Sequence, residues 1–322
     1  MNFQTKTLRF LSSKIIYIAI IILAIVITVV RPNYFIKIIN YQLVLNQISI
    51  YGIVAIGFTF LLICGELDLS IGSNYALTAI VFTLVGNSTN SYAIAIIAAL
   101  AAATFVGVIN GLLVAKVKIN SFIVTLGMMA IIKGINQIIS NNQNLPNRLP
   151  NIYSISEIYL LGFSTAFYIF VFLIILSQFI LSQTSFGRNV FATGDNYVVA
   201  KLAGIKVNIY KFIVFVIVGF FTGIAGILGS MKLSAASVLF GDDLALYVIT
   251  SVVLGGASLS GGKGSVVRTF FGVVFMGLMF ASFNITNISP YIQYVVRGLI
   301  LLMVVFADHY FLKLKSTKLY LA

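Results

Sequence analysis

Ten long hydrophobic runs, separated by short polar intervals, dominate this chain and constrain its fold more than any other feature. Each run is near the length that crosses a bilayer as a helix. Only 8% of the 322 residues are charged, far fewer than a soluble domain of this size carries. The runs lie at about residues 15–31, 41–63, 69–86, 92–115, 121–140, 165–183, 211–230, 244–260, 266–283 and 291–310. The sequence therefore predicts an all-α, polytopic integral membrane protein that forms a single transmembrane domain over residues 1–322, with broken or re-entrant pieces expected after Gly65 and around Gly255.

The Lys and Arg residues are distributed unequally between the two sides of these predicted helices. With the N-terminus inside, the inner segments hold fourteen basic residues and the outer segments four. The inner set is Lys6, Arg9, Lys14, Lys116, Lys118, Arg188, Lys201, Lys206, Lys211, Lys263, Arg268, Lys313, Lys315 and Lys318, and the outer set is Arg31, Lys37, Arg148 and Lys232. Since basic residues favour the cytoplasmic side, both termini are expected there and the Asn-rich loop 140–150 outside. The net charge of +13 then reflects topology, and no nucleic-acid partner is expected.

Residue types that catalysis and metal binding use are scarce. One Cys, Cys64, and one His, His309, exclude a disulfide framework and a Cys–His metal site. Asp242 and Asp243 precede the eighth run without a nucleophile or metal ligand beside them, so we interpret them as acids that dock a partner or cap the next helix. No polar interval is long enough to bury a core. We therefore expect neither an enzyme nor a cofactor, and any energy-transducing domain must be another polypeptide unless an ion gradient drives the protein.

The first motif, CGELDLSIGSN at Cys64–Asn74, places two acidic residues between two hydrophobic runs. Glu66 and Asp68 have no basic residue near them in the sequence, and acidic groups near membrane depth are expensive enough to indicate function. Asp68 and Ser70 can cap a new helix that begins at Leu69. The pattern favours a discontinuous helix lining a polar pathway, and a cytoplasmic turn with a helix cap is the alternative.

The second motif lies in the stretch Phe186–Ser230 and contains a short helix signal. Asp195 and Asn196 can cap its start, Tyr197–Ala203 supply about two turns, and Gly204 stands where a left-handed residue ends a helix. A helix this short is not stable alone in water and must pack against another surface. The residues that give it an apolar face are Val198, Val199 and Leu202. This face packs either on the protein's own bundle or on a partner that pushes the helix.

The third motif, LGGASLSGGKGSVV at Leu254–Val267, is a Gly-rich break between two hydrophobic runs. It is not a phosphate-binding P-loop, because Gly264 follows Lys263 where Ser or Thr would hold magnesium and Ala257 replaces the first glycine. Small residues here allow close helix approach or a re-entrant turn.

Glycines also recur at three- and four-residue spacings in the seventh run, at Gly219, Gly223, Gly226 and Gly229. Such a stripe lets another helix come close, either within one chain or across a dimer.

The three motifs occur in one order, GELDLSIGS from Gly65, FGRNVFATGDNYVVAKLAGIKV from Phe186 and VVLGGASLSGGKGSVV from Val252. Together they resemble the permease subunits of ribose-type sugar ABC importers, the binding-protein-dependent branch that includes xylose, arabinose, galactoside and autoinducer-2 permeases. The resemblance spans roughly Gln47 to Leu302. It implies a homodimer of roughly ten-span subunits in the bacterial plasma (inner) membrane. The implied partners are a cytoplasmic ABC ATPase, which hydrolyses the ATP, and an extracytoplasmic sugar-binding protein.

The resemblance also implies roles for particular residues. The coupling segment, at about residues 184–210, would seat on the ATPase through Gly187, Arg188, Ala192, Gly194, Asp195, Asn196, Ala200, Leu202, Gly204 and Ile205. The substrate pathway would include Glu66, Asp68, Ser70 and Ser73. Three positions depart from the family pattern: Glu66 and Arg268 stand where Gly is usual, and Ala245 where an acidic residue is common.

The expected function is therefore the transmembrane permease of an ATP-driven importer for a ribose-like pentose or a related simple sugar. Two alternatives remain open at this point. One is an ABC permease for nucleosides or branched-chain amino acids, and the other is an ion-coupled secondary transporter in which Glu66 and Asp68 carry protons or sodium.

Overall fold

The computed structural model of the chain describes residues 3–30, 37–156 and 158–319. Its helices are α1 (Phe3–Val30), α2 (Ile38–Ile63), α3 (Ile71–Thr89), α4 (Tyr92–Ala115), α5 (Ser121–Ser140), α6 (Ile152–Ser156), α7 (Thr165–Gln183), α8 (Ser185–Asp195), α9 (Tyr197–Leu202), α10 (Val207–Leu233), α11 (Leu244–Leu254), α12 (Val266–Ile285) and α13 (Pro290–Leu319). Its strands are β1 (Leu145–Pro146), β2 (Tyr159–Leu160), β3 (Phe163–Ser164) and β4 (Ala235–Ala236). Arg31, which the sequence places on the outer side, lies outside these residues.

Each of the ten predicted hydrophobic runs coincides with a helix, so the prediction of an all-α membrane protein is confirmed. Among the described residues, six helices are long and apolar enough to cross a membrane, namely α2, α4, α5, α7, α10 and α12. Polar residues within α3, among them Asn74, Thr78 and Thr83, distinguish that helix from the six. These polar side chains are buried between helices, where protein atoms rather than lipid surround them.

The two predicted half-spans have different lengths in the structure. α11 has 11 residues and is therefore about 16 Å long, roughly half of the hydrocarbon thickness. The piece after Gly65 is different, because α3 continues for 19 residues, or about 28 Å. The prediction of a half-span is confirmed around Gly255 and is wrong after Gly65.

α2 is the central helix of the bundle. Nearly every residue of its second half is buried, and α7, α10, α11 and α12 pack around it. A helix that is apolar on all sides, as this one is, must be enclosed by others rather than lie at a surface. The core therefore forms around α2 and extends along it to the break at Cys64.

The glycine stripe of α10 packs within the chain. Gly219 lies against α4, where a Cβ atom would stand 2.7 Å from the Ala103 carbonyl oxygen, and Gly226 lies against α3, where one would stand 2.6 Å from Thr78 Cβ. No side chain fits at either distance, so these glycines allow three helices to approach closely. Of the two alternatives that the sequence left open, the described contacts match the intrachain one.

The Asn-rich loop after α5 is tied to the bundle rather than free. β1 pairs antiparallel with β4, which follows α10, and Leu145 stands opposite Ala236. The Asn87 side chain donates to the Pro146 carbonyl at 2.9 Å and accepts from the Arg148 backbone N–H at 2.7 Å. This loop closes one end of the bundle, and the three sequence motifs lie elsewhere.

Candidate functional site

The three motifs meet at one point, where their glycines pack backbone against backbone. The Gly262 N–H donates to the Ile63 carbonyl at the end of α2, at 2.9 Å. A Cβ atom on Gly261 would stand 2.6 Å from the Gly194 carbonyl oxygen and 2.9 Å from the Gly65 Cα. Gly65, Gly261 and Gly262 also have positive φ angles of 82°, 83° and 70°, which favour glycine. We call this contact of Gly65, Gly194, Gly261 and Gly262 the glycine junction.

Asp68, next to the junction in the break between α2 and α3, is buried and fully engaged. Its Oδ1 accepts from the Ser70 N–H at 2.7 Å and from the Ser70 hydroxyl at 2.6 Å. The Asn110 amide of α4 donates to Asp68 Oδ2 at 3.3 Å and to Ser70 Oγ at 3.0 Å. The predicted capping role needs correction. α3 begins at Ile71 with Ser70 as its N-cap, and the Ser70 side chain caps nothing because its hydroxyl is turned to Asp68.

The broken backbone is stabilised from α5 as well. The Leu67 N–H donates to the Ser121 hydroxyl at 3.3 Å, and the Leu69 N–H donates to the Thr125 hydroxyl at 3.1 Å. Side-chain acceptors thus satisfy N–H groups that the break frees from helical hydrogen bonds. The break is a discontinuity between two helices, as the first motif predicts, and it is held in one conformation by α4 and α5.

Glu66 has a partner that the sequence analysis missed. Its carboxylate forms an ion pair with Lys211, on the first turns of α10, and the Glu66 side chain is only 7% exposed. Sequence reasoning treated Lys211 only as one of the inner basic residues. A buried carboxylate in a membrane protein needs a counter-ion. The position of Lys211 at the start of a predicted span was therefore the sequence feature that could have identified it as the partner of Glu66.

The proposed pathway residues fall into separate groups. Asp68 and Ser70 are joined by hydrogen bonds, whereas Glu66 is turned toward Lys211. Ser73, half-buried on α3, contributes its backbone carbonyl to the Asn136 amide at 3.0 Å. Of the four, Glu66 lines a cleft. Their role in a substrate pathway stays a prediction.

The short helix of the second motif is present as α9. The Asn196 side chain accepts from the Val198 and Val199 N–H groups at 3.0 and 3.1 Å, which confirms it as the N-cap. Gly204 has a φ of 81°, and the Ile205 N–H donates back to the Ala200 carbonyl at 3.0 Å, which confirms the glycine as the helix end. Asp195 does not cap α9, because it is the last residue of α8.

α8 joins α7 to α9 through a tight corner at Gly187. The Thr184 hydroxyl accepts from the Gly187 N–H at 3.2 Å and so caps the start of α8. A Cβ atom on Gly187 would stand 2.6 Å from the Ile180 carbonyl oxygen, so only glycine fits there. At the other end of α8, Gly194 reaches the glycine junction, while Arg188 and Asp195 are exposed.

The apolar face of α9 does not pack on the protein's own bundle. Leu202 is 83% exposed, and Val198 and Val199 are each 59% exposed. Ala200 is the buried residue of this helix. The alternative in which Val198, Val199 and Leu202 lean on the same chain is therefore wrong for the described residues.

Asp242 and Asp243 bind basic residues of neighbouring helices. Asp242 pairs with Lys133 of α5 at 2.9 Å, and Asp243 pairs with Arg297 of α13 at 2.8 Å. Asp243 precedes α11 but makes no side-chain cap hydrogen bond. The prediction of a helix cap is wrong, because these carboxylates bind the Lys and Arg that the sequence places within spans.

A polar cleft opens beside the glycine junction. Its volume is about 440 Å³, and four segments form its walls. The lining residues are Gly65, Glu66, Val114, Lys118, Ile119, Asn120, Ser121, Tyr197, Asn208 and Lys211. No group of three His, Cys, Asp or Glu residues that could hold a metal occurs among the described residues.

Comparisons with known proteins agree on one family. The family profile described as branched-chain amino acid transport system / permease component matches residues 40–305. The chain is 33% identical to the ribose import permease protein RbsC of Haemophilus influenzae over 96% of each chain. It is 36% identical to the L-arabinose transport system permease protein AraH of Escherichia coli K12, over 89% of this chain and 87% of that protein. No solved structure matches the chain.

Proposed function

The chain belongs to the family of branched-chain amino acid transport system permease components, and from this membership we propose that it is the membrane-spanning subunit of an ATP-driven importer for a monosaccharide. Its relatives named for ribose and arabinose transport, similar over nearly their whole length, support a simple sugar as cargo. The chain's role is transport rather than catalysis. ATP hydrolysis then belongs to a separate ABC ATPase.

The observation that carries this proposal is the exposed apolar face of α9 beside the glycine junction. Large apolar side chains of α9 point away from the bundle, with Leu202 83% exposed. An apolar patch surrounded by charged residues such as Lys201 and Asp195 is typical of a protein interface. We assign α9, with the exposed Arg188 of α8, as the seat for the ATPase on the cytoplasmic side, and we assign Gly187 and Gly194 the role of positioning α8 against the bundle.

The same geometry supports a route for the motion. Because Gly194 contacts Gly261 without intervening side chains, a displacement of α8 and α9 must move the break after α2 and the Gly-rich loop before α12. In this proposal the break alternates between two arrangements, and the hydrogen bonds of Asp68 stabilise the one described here. In this proposal a second copy of the chain completes the pathway, a sugar-binding protein delivers cargo outside, and both termini lie in the cytoplasm.

The alternatives make different demands on the acidic residues. An ion-coupled carrier needs a carboxylate that gains and loses a cation during transport. Glu66 is instead paired with Lys211, and Asp68 accepts hydrogen bonds from Ser70 and Asn110. The family description supports a second cargo class, branched-chain amino acids, within the same ATP-driven mechanism.

Uptake measurements test the proposal. The permease is expressed with the ATPase and binding protein that copurify with it, and uptake of labelled ribose, arabinose and leucine is compared. We expect uptake of a sugar that survives collapse of ion gradients by ionophores and stops when ATP is depleted. Loss of uptake under ionophores with ATP intact would favour the ion-coupled carrier, and uptake of leucine alone would favour the amino-acid cargo.

A further inference from the structure

The polar cleft brings together four segments that are distant in sequence. Gly65 and Glu66 come from the break after α2, Asn120 from the loop before α5, Tyr197 from α9 and Lys211 from α10. Two of these segments, the break and α9, belong to the parts that the proposed mechanism moves. A molecule bound across the cleft would connect α9 to the loop before α5.

The cleft carries an excess of positive charge. Lys118 and Lys211 stand against one carboxylate, that of Glu66. Lys211 is engaged by Glu66 and lies 5.5 Å from the centre of the Tyr197 ring. Within the described part of the chain, no ion-pair partner is found for Lys118, which is exposed and has a φ of 67°. An ammonium group without a carboxylate partner is suited to bind an anion.

The remaining polar lining suits hydroxyl groups. Asn120 Oδ1 accepts from the Phe122 N–H at 2.9 Å, and the side-chain NH₂ group of Asn120 is left to donate to a ligand. Asn208 and Tyr197 are exposed residues that add an amide and a phenol. The cleft's volume of about 440 Å³ is far larger than inorganic phosphate needs and falls in the range of small-molecule sites.

We infer that this cleft binds a phosphorylated monosaccharide, with the phosphate on Lys118 and the sugar hydroxyls on Asn120, Asn208 and Tyr197. The inference rests on the proposed function, because an imported sugar becomes such a ligand when a kinase transfers a phosphoryl group from ATP to one of its hydroxyls. The phosphorylated product is then the cytoplasmic signal that enough sugar has entered.

Binding would regulate transport from the inside. A ligand held between Tyr197 of α9 and the loop that carries Lys118 and Asn120 stabilises the arrangement in which these two segments are close, since it binds that arrangement more tightly. To move α9, the ATPase must then break the contacts between the ligand and this loop. Accumulated product would therefore slow import.

The binding test uses the full permease–ATPase complex in nanodiscs of phosphatidylcholine, so that anionic lipid headgroups do not compete. Calorimetry compares ribose 5-phosphate, ribose and inorganic phosphate. We expect ribose 5-phosphate to bind more tightly than phosphate or ribose, and Lys118→Ala to weaken it by about tenfold or more, the effect of one charge-assisted hydrogen bond. The matched control is Lys116→Ala, a nearby exposed lysine outside the cleft lining.

Three results would overturn the inference: no binding of ribose 5-phosphate at millimolar concentration, equally tight binding of inorganic phosphate, or equal losses in Lys118→Ala and Lys116→Ala. None of them depends on transport, so failure of the importer proposal is distinguished from failure of this site. A second measurement loads vesicles internally with ribose 5-phosphate. The ratio of ATP-driven uptake with and without the internal ligand should fall below one in the wild type and return toward one in Lys118→Ala.

Discussion

Lys211 forms an ion pair with Glu66 from 145 positions further along the chain, and its ammonium group also lies 5.5 Å from the centre of the Tyr197 ring. The pair connects the break after α2 with α10, and the ring contact extends the connection to α9. Because both charged side chains are mostly buried, at 22% and 7% exposure, each depends on the other for compensation of its charge.

Lys211→Met is expected to destabilise the folded permease. The substitution keeps the length of the side chain but leaves the Glu66 carboxylate buried without a counter-ion. Removing one partner of a buried pair costs about 3 kcal/mol at the lower end of the usual range, which is appropriate here because Lys211 is partly exposed. Thermal unfolding of the purified protein in detergent should show a lower midpoint.

The double variant Glu66→Gln with Lys211→Met separates charge from packing. With both charges removed, most of the lost stability should return. Lys206→Met, a change at an exposed lysine close by, serves as the control and should leave the midpoint nearly unchanged. A double variant as unstable as Lys211→Met would show that the pair does not stabilise through charge.

The glycine junction should not tolerate a methyl group. In Gly261→Ala the new Cβ would stand 2.6 Å from the Gly194 carbonyl oxygen, at a φ of 83°. The left-handed conformation alone costs a non-glycine residue about 1–2 kcal/mol, and the clash adds to this. We expect a lower unfolding midpoint together with weaker recovery of the ATPase with the permease.

Gly134→Ala is the matched control for that change. Gly134 lies within α5, and apart from the neighbouring backbone of that helix no described atom stands within 4 Å of the position of an added Cβ. Alanine favours helix over glycine by up to about 1 kcal/mol, so this variant should be as stable as the wild type or slightly more so. Equal midpoints for Gly261→Ala and Gly134→Ala would argue against a tight junction.

Much of the fold follows from the sequence because one physical requirement sets it. Backbone groups in lipid must be satisfied within helices, so each apolar run had to be a helix, and Asn196 and Gly204 mark the ends of α9 by their own local chemistry. The length of α3 was harder to predict. Its polar residues interrupt the hydrophobic signal, although neighbouring helices bury them.

The pairings within the site could not be predicted in the same way. The basic partners of Glu66, Asp242 and Asp243 lie 145, 109 and 54 positions away in the chain. The local pattern of polar and apolar residues contains no information on contacts at such distances. The direction of the α9 apolar face also depends on tertiary packing. The sequence showed that Val198, Val199 and Leu202 share a face, but only the packing shows that Ala200 alone is buried.

Asp68→Asn should be destabilising although it preserves shape. The carboxylate accepts from the Ser70 N–H, the Ser70 hydroxyl and the Asn110 amide. In Asp68→Asn one carboxylate oxygen becomes an NH₂ group, which cannot accept the hydrogen bond that the oxygen accepted. The donor that loses its acceptor stays buried, and such an unsatisfied group lowers the free energy of unfolding by about 1–3 kcal/mol. Thermal unfolding should show a clear loss for Asp68→Asn and little for Asp242→Asn, whose carboxylate is 44% exposed. Equal losses of stability in the two variants would show that the buried hydrogen bonds of Asp68 stabilise the fold no more than the exposed ion pair of Asp242 does.

Leu202→Ser should leave the permease folded and weaken its association with the ATPase. Leu202 is 83% exposed, and surface substitutions usually change stability by no more than about 0.5 kcal/mol. An apolar side chain at the centre of a protein interface can contribute roughly 2 kcal/mol or more to binding, so recovery of the ATPase should fall about tenfold or more. The measurement is mass spectrometry of proteins that copurify with tagged permease, after the unfolding midpoint has been shown to be unchanged.

Leu161→Ser is the control, because Leu161 is 87% exposed on a different segment. Undiminished recovery with Leu202→Ser would remove α9 as the seat of the ATPase, since the most exposed apolar residue of that helix would then contribute nothing to the contact.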